Sequence, residues 1–374
     1  MDAACCGDDL ASWLRLAHTP GVGGVAARAL LTAFGLPESV FCAGFEALRH
    51  VVNAPVALAL SGPVPGPTAA LIDTTLAWLQ TPGNHVLTLA DAAYPAALLE
   101  IADPPLLLYV KGRLGLLNLP ALAVVGSRNA SLQGSANAEH FSHALSNAGL
   151  TIVSGLAQGI DAAAHRGALR GSGSTIAVIG TGADLVYPYS NRVLAGLIAE
   201  QGCIVSEYAL GLPALPANFP RRNRLISGLA RAVLVVEAAA RSGSLITARM
   251  AGEQGRDVFA IPGSIHSALA KGCHGLIKQG AKLVESADDV LAEMQLPSSG
   301  PVASRAASVA PAAPPEQQAL LSALGHDPVD LDSLAQRAGL DAAGVIAQLL
   351  TLELAGLVER LPGGLFQRNH QGDN

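Results

Sequence analysis

Between residues 122 and 261 the chain repeats one texture: a short apolar run rich in β-branched residues, a turn of small or polar residues, then an amphipathic stretch. The runs occupy residues 122–125, 150–153, 174–179, 203–206, 232–236 and 257–261. Runs this short and this continuously apolar predict strands buried on both faces. Helices alternating with them at this spacing make βαβ units and a parallel sheet. In such a sheet ligands collect beyond the carboxyl ends of the strands, where the loops gather. Function is therefore expected in those loops.

Composition narrows the rest. With 374 residues, 50% hydrophobic and only 14% charged, the chain can bury a large core spread over more than one domain, which excludes a wholly disordered protein. The positive mean hydropathy comes mostly from alanine. The longest charge-free stretch, 51–72, is broken by Pro55, Pro63, Pro65 and Pro67, so no bilayer span is expected. Asp2, Asp8 and Asp9 without a basic segment do not read as a signal peptide, and a cytoplasmic location is expected. Cys5, Cys6, Cys42, Cys203 and Cys273 form neither a disulfide framework nor a pair with metal-ligand spacing, so no metal or cofactor is expected.

The net charge of −6 argues at first against a nucleic-acid partner, but it is unevenly spread. Residues 1–120 hold 5 Lys/Arg and 9 Asp/Glu, and residues 314–374 hold 3 and 8, whereas residues 121–290 hold 14 and 11. Only the middle of the chain is basic. Its acidic flanks have their own signatures. Around Pro20-Gly21-Val22-Gly23 two apolar helices meet as in a helix-hairpin-helix, whose turn offers backbone N–H groups to phosphate; a purely packing module fits equally well. A further helix is expected over 69–79. Residues 297–315, rich in Pro, Ala and Ser, read as a linker. Three short helices (317–324, 332–338, 342–355) and a hairpin around Pro362-Gly363-Gly364 then outline a winged helix-turn-helix. The last of those helices has no Lys or Arg, so reading duplex DNA is disfavoured against a protein-contact or packing role.

The expected strand ends carry Gly126-Ser127-Arg128, 154–161 (Ser-Gly-Leu-Ala-Gln-Gly-Ile-Asp), Gly180-Thr181-Gly182, Ser206-Glu207-Tyr208 and Glu237. Two further segments, 218–224 (Asn-Phe-Pro-Arg-Arg-Asn-Arg) and 241–247 (Arg-Ser-Gly-Ser-Leu-Ile-Thr), add arginines and a turn that resembles a phosphate-holding loop at a helix start. Glycine admits a ligand close to the backbone, and Ser and Arg donate to phosphate oxygens. There is no G-x-x-x-x-G-K-[ST], no complete G-x-G-x-x-G and no G-x-S-x-G. His165, His266 and His274 lack evident catalytic partners and read as surface or satisfied core histidines. Asp161, Glu207 and Glu237 are expected to fix loops by pairing with arginines, and no convincing catalytic set emerges.

The ordered set of segments from Tyr94-Pro95 to about Val290 resembles the DNA-processing protein A (DprA, also called Smf) family. It includes Leu108-Tyr109-Val110-Lys111-Gly112, Gly126-Ser127-Arg128, 154–165, Tyr187-Pro188, Ser206-Glu207-Tyr208, 218–229, 242–248, 253–256 and Pro262-Gly263-Ser264. The resemblance implies an α/β fold: a Rossmann-like, mostly parallel sheet with helices on both faces (85–292). A helical N-terminal module (1–80), a linker (293–314) and a C-terminal winged helix (315–370) complete the organisation. It also implies a non-enzymatic, homodimeric or further self-associating protein that binds single-stranded DNA without sequence preference. Such a protein protects incoming strands and loads the recombinase RecA during natural transformation. The implied phosphate pocket comprises Gly126, Ser127, Arg128, Ser154, Gly155, Ser242, Gly243 and Ser244, with Phe219 stacking on a base and Arg222, Asn223 and Arg224 as backbone or structural contacts. Some members have a lysine shortly before the Phe-Pro pair; residues 215–218 have none, and Lys271, Lys278 or Lys282 is expected to replace it, Lys278 foremost. The rival reading is a nucleotide hydrolase or phosphoribohydrolase on the same sheet, using Glu207 or Glu237 for proton transfer.

Overall fold

The computed structural model describes residues 3–295, 315–325, 328–361 and 363–368. Most of the Pro/Ala/Ser-rich linker, 296–314, lies outside the described residues. Six helices open the chain: α1 (Ala3–His18), α2 (Gly24–Phe34), α3 (Pro37–Cys42), α4 (Phe45–Arg49), α5 (Ala54–Ser61) and α6 (Gly66–Trp78). The expected break at Pro20–Gly23 separates α1 from α2, with Gly21 at φ +82° in the turn. Leu16, Leu30, Val40, Leu48 and Leu60 bury one cluster within these helices. Trp13 and Ala27 face a second, shared with Leu107 and Tyr109 of the following sheet. The Trp78 ring meets Tyr109 edge-on at 6.1 Å.

The sheet is built from β1 (Asn84–Thr88), β2 (Leu107–Gly112), β3 (Ala121–Val125), β4 (Thr151–Ser154), β5 (Thr175–Val178), β6 (Cys203–Ser206), β7 (Ala232–Val235), β8 (Asp257–Ala260) and β9 (Lys282–Leu283). Its order is β1-β2-β6-β5-β4-β3-β7-β8-β9. All six expected runs are strands, and they pair in parallel along the order β6-β5-β4-β3-β7-β8. Strands β1 and β2 extend the sheet antiparallel beyond β6, and β9 adds a short parallel edge beyond β8. The crossover helices are α8 (Leu132–Asn147), α9 (Ile160–Leu169), α10 (Arg192–Gln201), α11 (Asn218–Leu229), α12 (Ser244–Glu253) and α13 (Lys271–Lys278). The short α7 (Ala96–Leu99) precedes β2, and α14 (Ala287–Glu293) closes the unit. Two apolar clusters cover the faces of the central strands. One contains Val125, Val153, Val178, Val235 and Leu225; the other contains Leu122, Val124, Ile152, Leu234 and Phe259. This is a Rossmann-like, mostly parallel sheet with helices on both faces.

The chain builds β3 to β6 outward in one direction, then returns to the other side of β3 with β7 and β8. The strand order therefore reverses between β3 and β7. Such a switch point leaves a crevice at the carboxyl ends, because the two flanking loops diverge to opposite faces.

After the undescribed stretch come α15 (Pro315–Leu324), β10 (Val329–Asp330), α16 (Leu331–Ala338), α17 (Ala342–Leu354), β11 (Val358–Leu361) and β12 (Leu365–Arg368), a winged helix with its own core around Leu334, Val345, Leu349 and Leu352. Ile346, Leu350 and Leu354, four residues apart on α17, are all exposed. Among the described residues no single helix is long and apolar enough to cross a membrane.

Helix α9 lies so close to α8 that a Cβ at Gly167 would overlap the Glu139 carbonyl. Gly167→Ala should therefore lower stability by about 2 kcal/mol or more, although alanine favours an isolated helix by about 1 kcal/mol. The midpoint of a urea melt reads the sign directly, and a midpoint at or above wild type would refute the close packing.

Candidate functional site

At the crevice between β3 and β7 lies an open cavity of about 610 Å³. Its walls come from three segments. The loop after β3 supplies Gly126, Ser127, Arg128 and Asn129. The loop leading into α12 supplies Arg241, Ser242, Gly243 and Ser244, and the start of α11 supplies Phe219, Arg222 and Asn223. Most of the sequence-derived phosphate residues, scattered over more than a hundred positions, thus converge on one space.

Glu237, just past β7, holds the first wall in place. Its carbonyl accepts from the Ser127 N–H at 2.8 Å, and its carboxylate takes both the Ser131 N–H at 3.0 Å and the Ser131 hydroxyl at 2.5 Å. Ser131 in turn caps α8 by accepting from the Gly134 N–H. Gly126 is glycine for steric reasons: a Cβ there would stand 2.6 Å from Ile160 and 2.9 Å from the Glu237 carbonyl. In the second wall the Ser242 and Ser244 hydroxyls are 2.7 Å apart at the start of α12, whose first turn has no side-chain cap. The first N–H groups are taken within the turn, Ser244 by the Ser242 hydroxyl, Leu245 by the Ser242 carbonyl and Ile246 by the Gly243 carbonyl, so this wall offers an anion its serine hydroxyls and the positive end of the helix dipole.

Phe219 is half buried, its ring 5.4 Å from that of Tyr187, with the Arg128 guanidinium 5.6 Å from its centroid. Arg128 and Arg241 are exposed and have no carboxylate within ion-pair distance among the described residues. An aromatic face next to unneutralised guanidinium groups suits a base with its attached phosphate.

Arg222 has a different role. It is 3% exposed, with one terminal nitrogen donating to the carbonyls of Gly155 (2.8 Å) and Val178 and its Nε donating to Asn223 Oδ1 (3.1 Å). Burial lowers its pKa to about 10, with neighbouring Asp161 acting to raise it. Its other terminal nitrogen, Nη2, lies against Gly155, where a Cβ would collide with it. Asp161 accepts from the Gly155 and Ala157 N–H groups at 3.2 and 3.3 Å, and burial raises its pKa against the opposing pull of Arg222. His165 completes this support. Its Nε2 accepts from the N–H of Leu156, a residue at φ +56°, while its Nδ1 meets the Thr175 hydroxyl at 2.7 Å. It is a satisfied core histidine, as expected.

Four of the expected residues sit elsewhere. Ser154 is wholly buried and donates to the Val124 carbonyl at 2.7 Å. Gly155 lines a small recess beside the cavity together with Phe219 and Tyr187. Arg224 points away to the junction with the N-terminal helices, where it binds Glu207 and lies 3.5 Å from Asp103. Lys278 is exposed at the end of α13 and does not line the cavity. The other two lysines considered are also engaged: Lys271 donates to the Ile265 carbonyl, and Lys282 pairs with Glu293. The cations that do line the cavity are Arg128, Arg222 and Arg241. Arg241 and Tyr187 also line the cavity; the sequence signals them only as members of the 241–247 and Tyr187-Pro188 segments. The helix-hairpin-helix turn is also occupied from within. Arg15 donates to Leu60 and Gly62 carbonyls, Arg28 donates to Ala102, and the Asp103 carboxylate lies against Gly24 at the start of α2.

The family model for DNA recombination-mediator protein A matches residues 85–295, and that for the DprA winged helix domain matches residues 304–364. The chain belongs to the DprA/Smf family. It is 44% identical to protein Smf of Escherichia coli over 307 residues, 78% of this chain and 80% of that protein. It is 54% identical to DNA processing protein DprA of Streptococcus pneumoniae over 208 residues, 56% of this chain and 73% of that one. The crystal structure of the S. pneumoniae DprA superposes with TM-score 0.64 at 43% identity, covering 75% of this chain and 95% of that one. A Helicobacter pylori DprA structure, described for its unique single-stranded DNA binding mode, gives TM-score 0.52 at 29% identity over 56% of this chain and 96% of that one.

The loop after β4 is held by the His165 imidazole accepting from the Leu156 N–H, so pH tests the support. Burial, reinforced by Arg222 and Arg166, lowers the His165 pKa from 6.5 to about 3. The unfolded chain takes up this proton below about pH 6.5 and the folded one does not, so stability from this site is complete above that pH and declines toward pH 3. His165→Gln should flatten that slope, on the order of a few kcal/mol across the window. Thermal melts from pH 7 to pH 4 measure it, and an identical slope in the variant would exclude His165 as its source.

Proposed function

We propose that this protein binds single-stranded DNA without sequence preference, shields the incoming strand and loads RecA onto it during natural transformation. The observation that carries the reading is the cavity at the sheet's switch point, where Phe219, beside Tyr187 and the exposed Arg128, stands among glycine and serine loops. Every base has a π-face, so such a contact tolerates any sequence, and guanidinium and hydroxyl donors meet the repeating phosphate rather than one base. The H. pylori relative's described single-stranded DNA binding supports the same ligand class. The basic surplus of residues 121–290 lies in the unit that holds the cavity.

We assign no catalytic step to the site. Of the carboxylates a hydrolase would need, Glu237 is held by Ser131, Glu207 is bonded to Arg224, and Asp161 is turned to backbone N–H groups and the buried Arg222. The winged helix, acidic and with an apolar exposed face on α17, fits protein contact, including self-association as a homodimer or larger species, better than duplex DNA. We place the protein in the cytoplasm, where RecA and the incoming strand meet.

Arg128→Ala should weaken binding to a poly-dT strand by about tenfold or more, the loss of a charge-assisted contact worth about 1.5–3 kcal/mol. Wild-type affinity should fall steeply with salt. Filter binding measures both, and an Arg128→Ala variant indistinguishable from wild type would assign the cavity wrongly. Release of free base from a panel of nucleoside monophosphates would favour the hydrolase instead. A gel shift with single- and double-stranded competitors, with and without RecA, tests ligand class and partner together.

A further inference from the structure

Beside the cavity, the loop after β5 carries a second aromatic residue that the site does not use. Tyr187 packs on Phe219, and two residues on Tyr189 is 73% exposed. Few exposed large side chains in the sheet unit present more ring to solvent. Arg192, one helical turn further, places its guanidinium 5.8 Å from the Tyr189 ring centroid and donates to its hydroxyl at 3.2 Å. Arg192 is exposed and has no carboxylate within ion-pair distance among the described residues.

This arginine-tyrosine pair is fixed to the wall of the recess that adjoins the cavity. Gln158 lines the recess and donates to the Ser190 hydroxyl at 3.1 Å. Asn191 donates to the Leu156 and Ala157 carbonyls at 2.9 and 3.1 Å. Phe219 and Tyr187 thus pack together at the cavity with Arg128 beside them, and Tyr189, two residues beyond Tyr187, stands at the open surface with Arg192 beside it. Loop and ring positions are set by hydrogen bonds to the loop after β4, the one that Asp161 and His165 hold.

We infer that Tyr189 and Arg192 form a second nucleotide-binding station on the path of a single strand leaving the cavity, Tyr189 stacking on a base and Arg192 meeting its phosphate. The inference rests on the single-stranded DNA reading of the cavity. A protein partner would also accept exposed apolar surface, but the free cation beside the ring favours a polyanion. Because the station lies outside the cavity, it adds affinity only for strands long enough to reach it.

The test is anisotropy binding of labelled oligothymidylates of about four and about twenty nucleotides, a range that brackets the footprint of one single-strand site. Tyr189→Ala should weaken the long strand about tenfold and leave the short one within about twofold. Tyr189→Phe, which keeps the ring, should bind both as wild type does and controls for folding. Arg192→Ala should reduce the salt slope of the long strand by about one. If Tyr189→Ala binds both lengths as wild type does while Phe219→Ala weakens both, the second station is overturned and the cavity stands. If Phe219→Ala and Arg128→Ala leave both lengths unchanged, the cavity reading fails and the station fails with it. A Tyr189→Ala variant that alters self-association but not DNA binding overturns the station in favour of a protein-contact surface.

Discussion

Glu237 is the tie on which the site depends. At the switch point two strands that are neighbours in space, β3 and β7, send their loops to opposite faces of the sheet, and the backbone ladder between them runs out at the Ser127 N–H to Glu237 carbonyl bond. Glu237, two residues past the end of β7, supplies a carbonyl to one loop residue and a carboxylate to another. The same carboxylate excludes any side chain at Gly134, so α8 starts close against it. A charge that would be a candidate acid or base on a bare sheet is used here to set the distance between the Arg128 loop and the Ser242–Ser244 turn.

The other side of the cavity is supported by a buried cation. Arg222 gives up solvent for backbone carbonyls at the ends of β4 and β5, and its partner Asp161 collects the N–H groups of the intervening loop. Burying a charge is tolerable only when its hydrogen-bonding capacity is met, and here carbonyl dipoles meet most of it. The arrangement explains two glycines at once: Gly155 leaves room for the guanidinium, and Gly126 leaves room for Ile160 and the Glu237 carbonyl.

Much of this was legible in the sequence. The six buried strands announced themselves through β-branched runs, and the loop residues were found because parallel strands leave no other place for them. Strands β1, β2 and β9 were not read as strands, since two are antiparallel additions and one is two residues long, fixed by pairing rather than by pattern. For Arg222 and Arg224 the residue types leave a DNA contact and a structural pairing with a carboxylate equally open, and helix geometry separates them: residues two apart on a helix point about 200° apart. One therefore faces the cavity and the other faces Asp103 and Glu207. Ser154 ends a strand buried on both faces, so its hydroxyl had to find a partner within the sheet. Charge alone points to Lys278, whereas its place at the end of α13 sets it outside the cavity lining. The family resemblance is carried by ordered segments rather than by single residues, so it does not depend on where any one of these side chains points.

The half-buried ring of Phe219 has a consequence for how base composition would register. A ring wedged between a second aromatic and a guanidinium offers a flat face and no donor or acceptor that matches a base edge. On the proposed reading, any difference among homopolymers originates in the strand: adenine tracts must first unstack, whereas thymine tracts arrive already loose. Apparent selectivity would then measure the order within the nucleic acid, not discrimination by the protein.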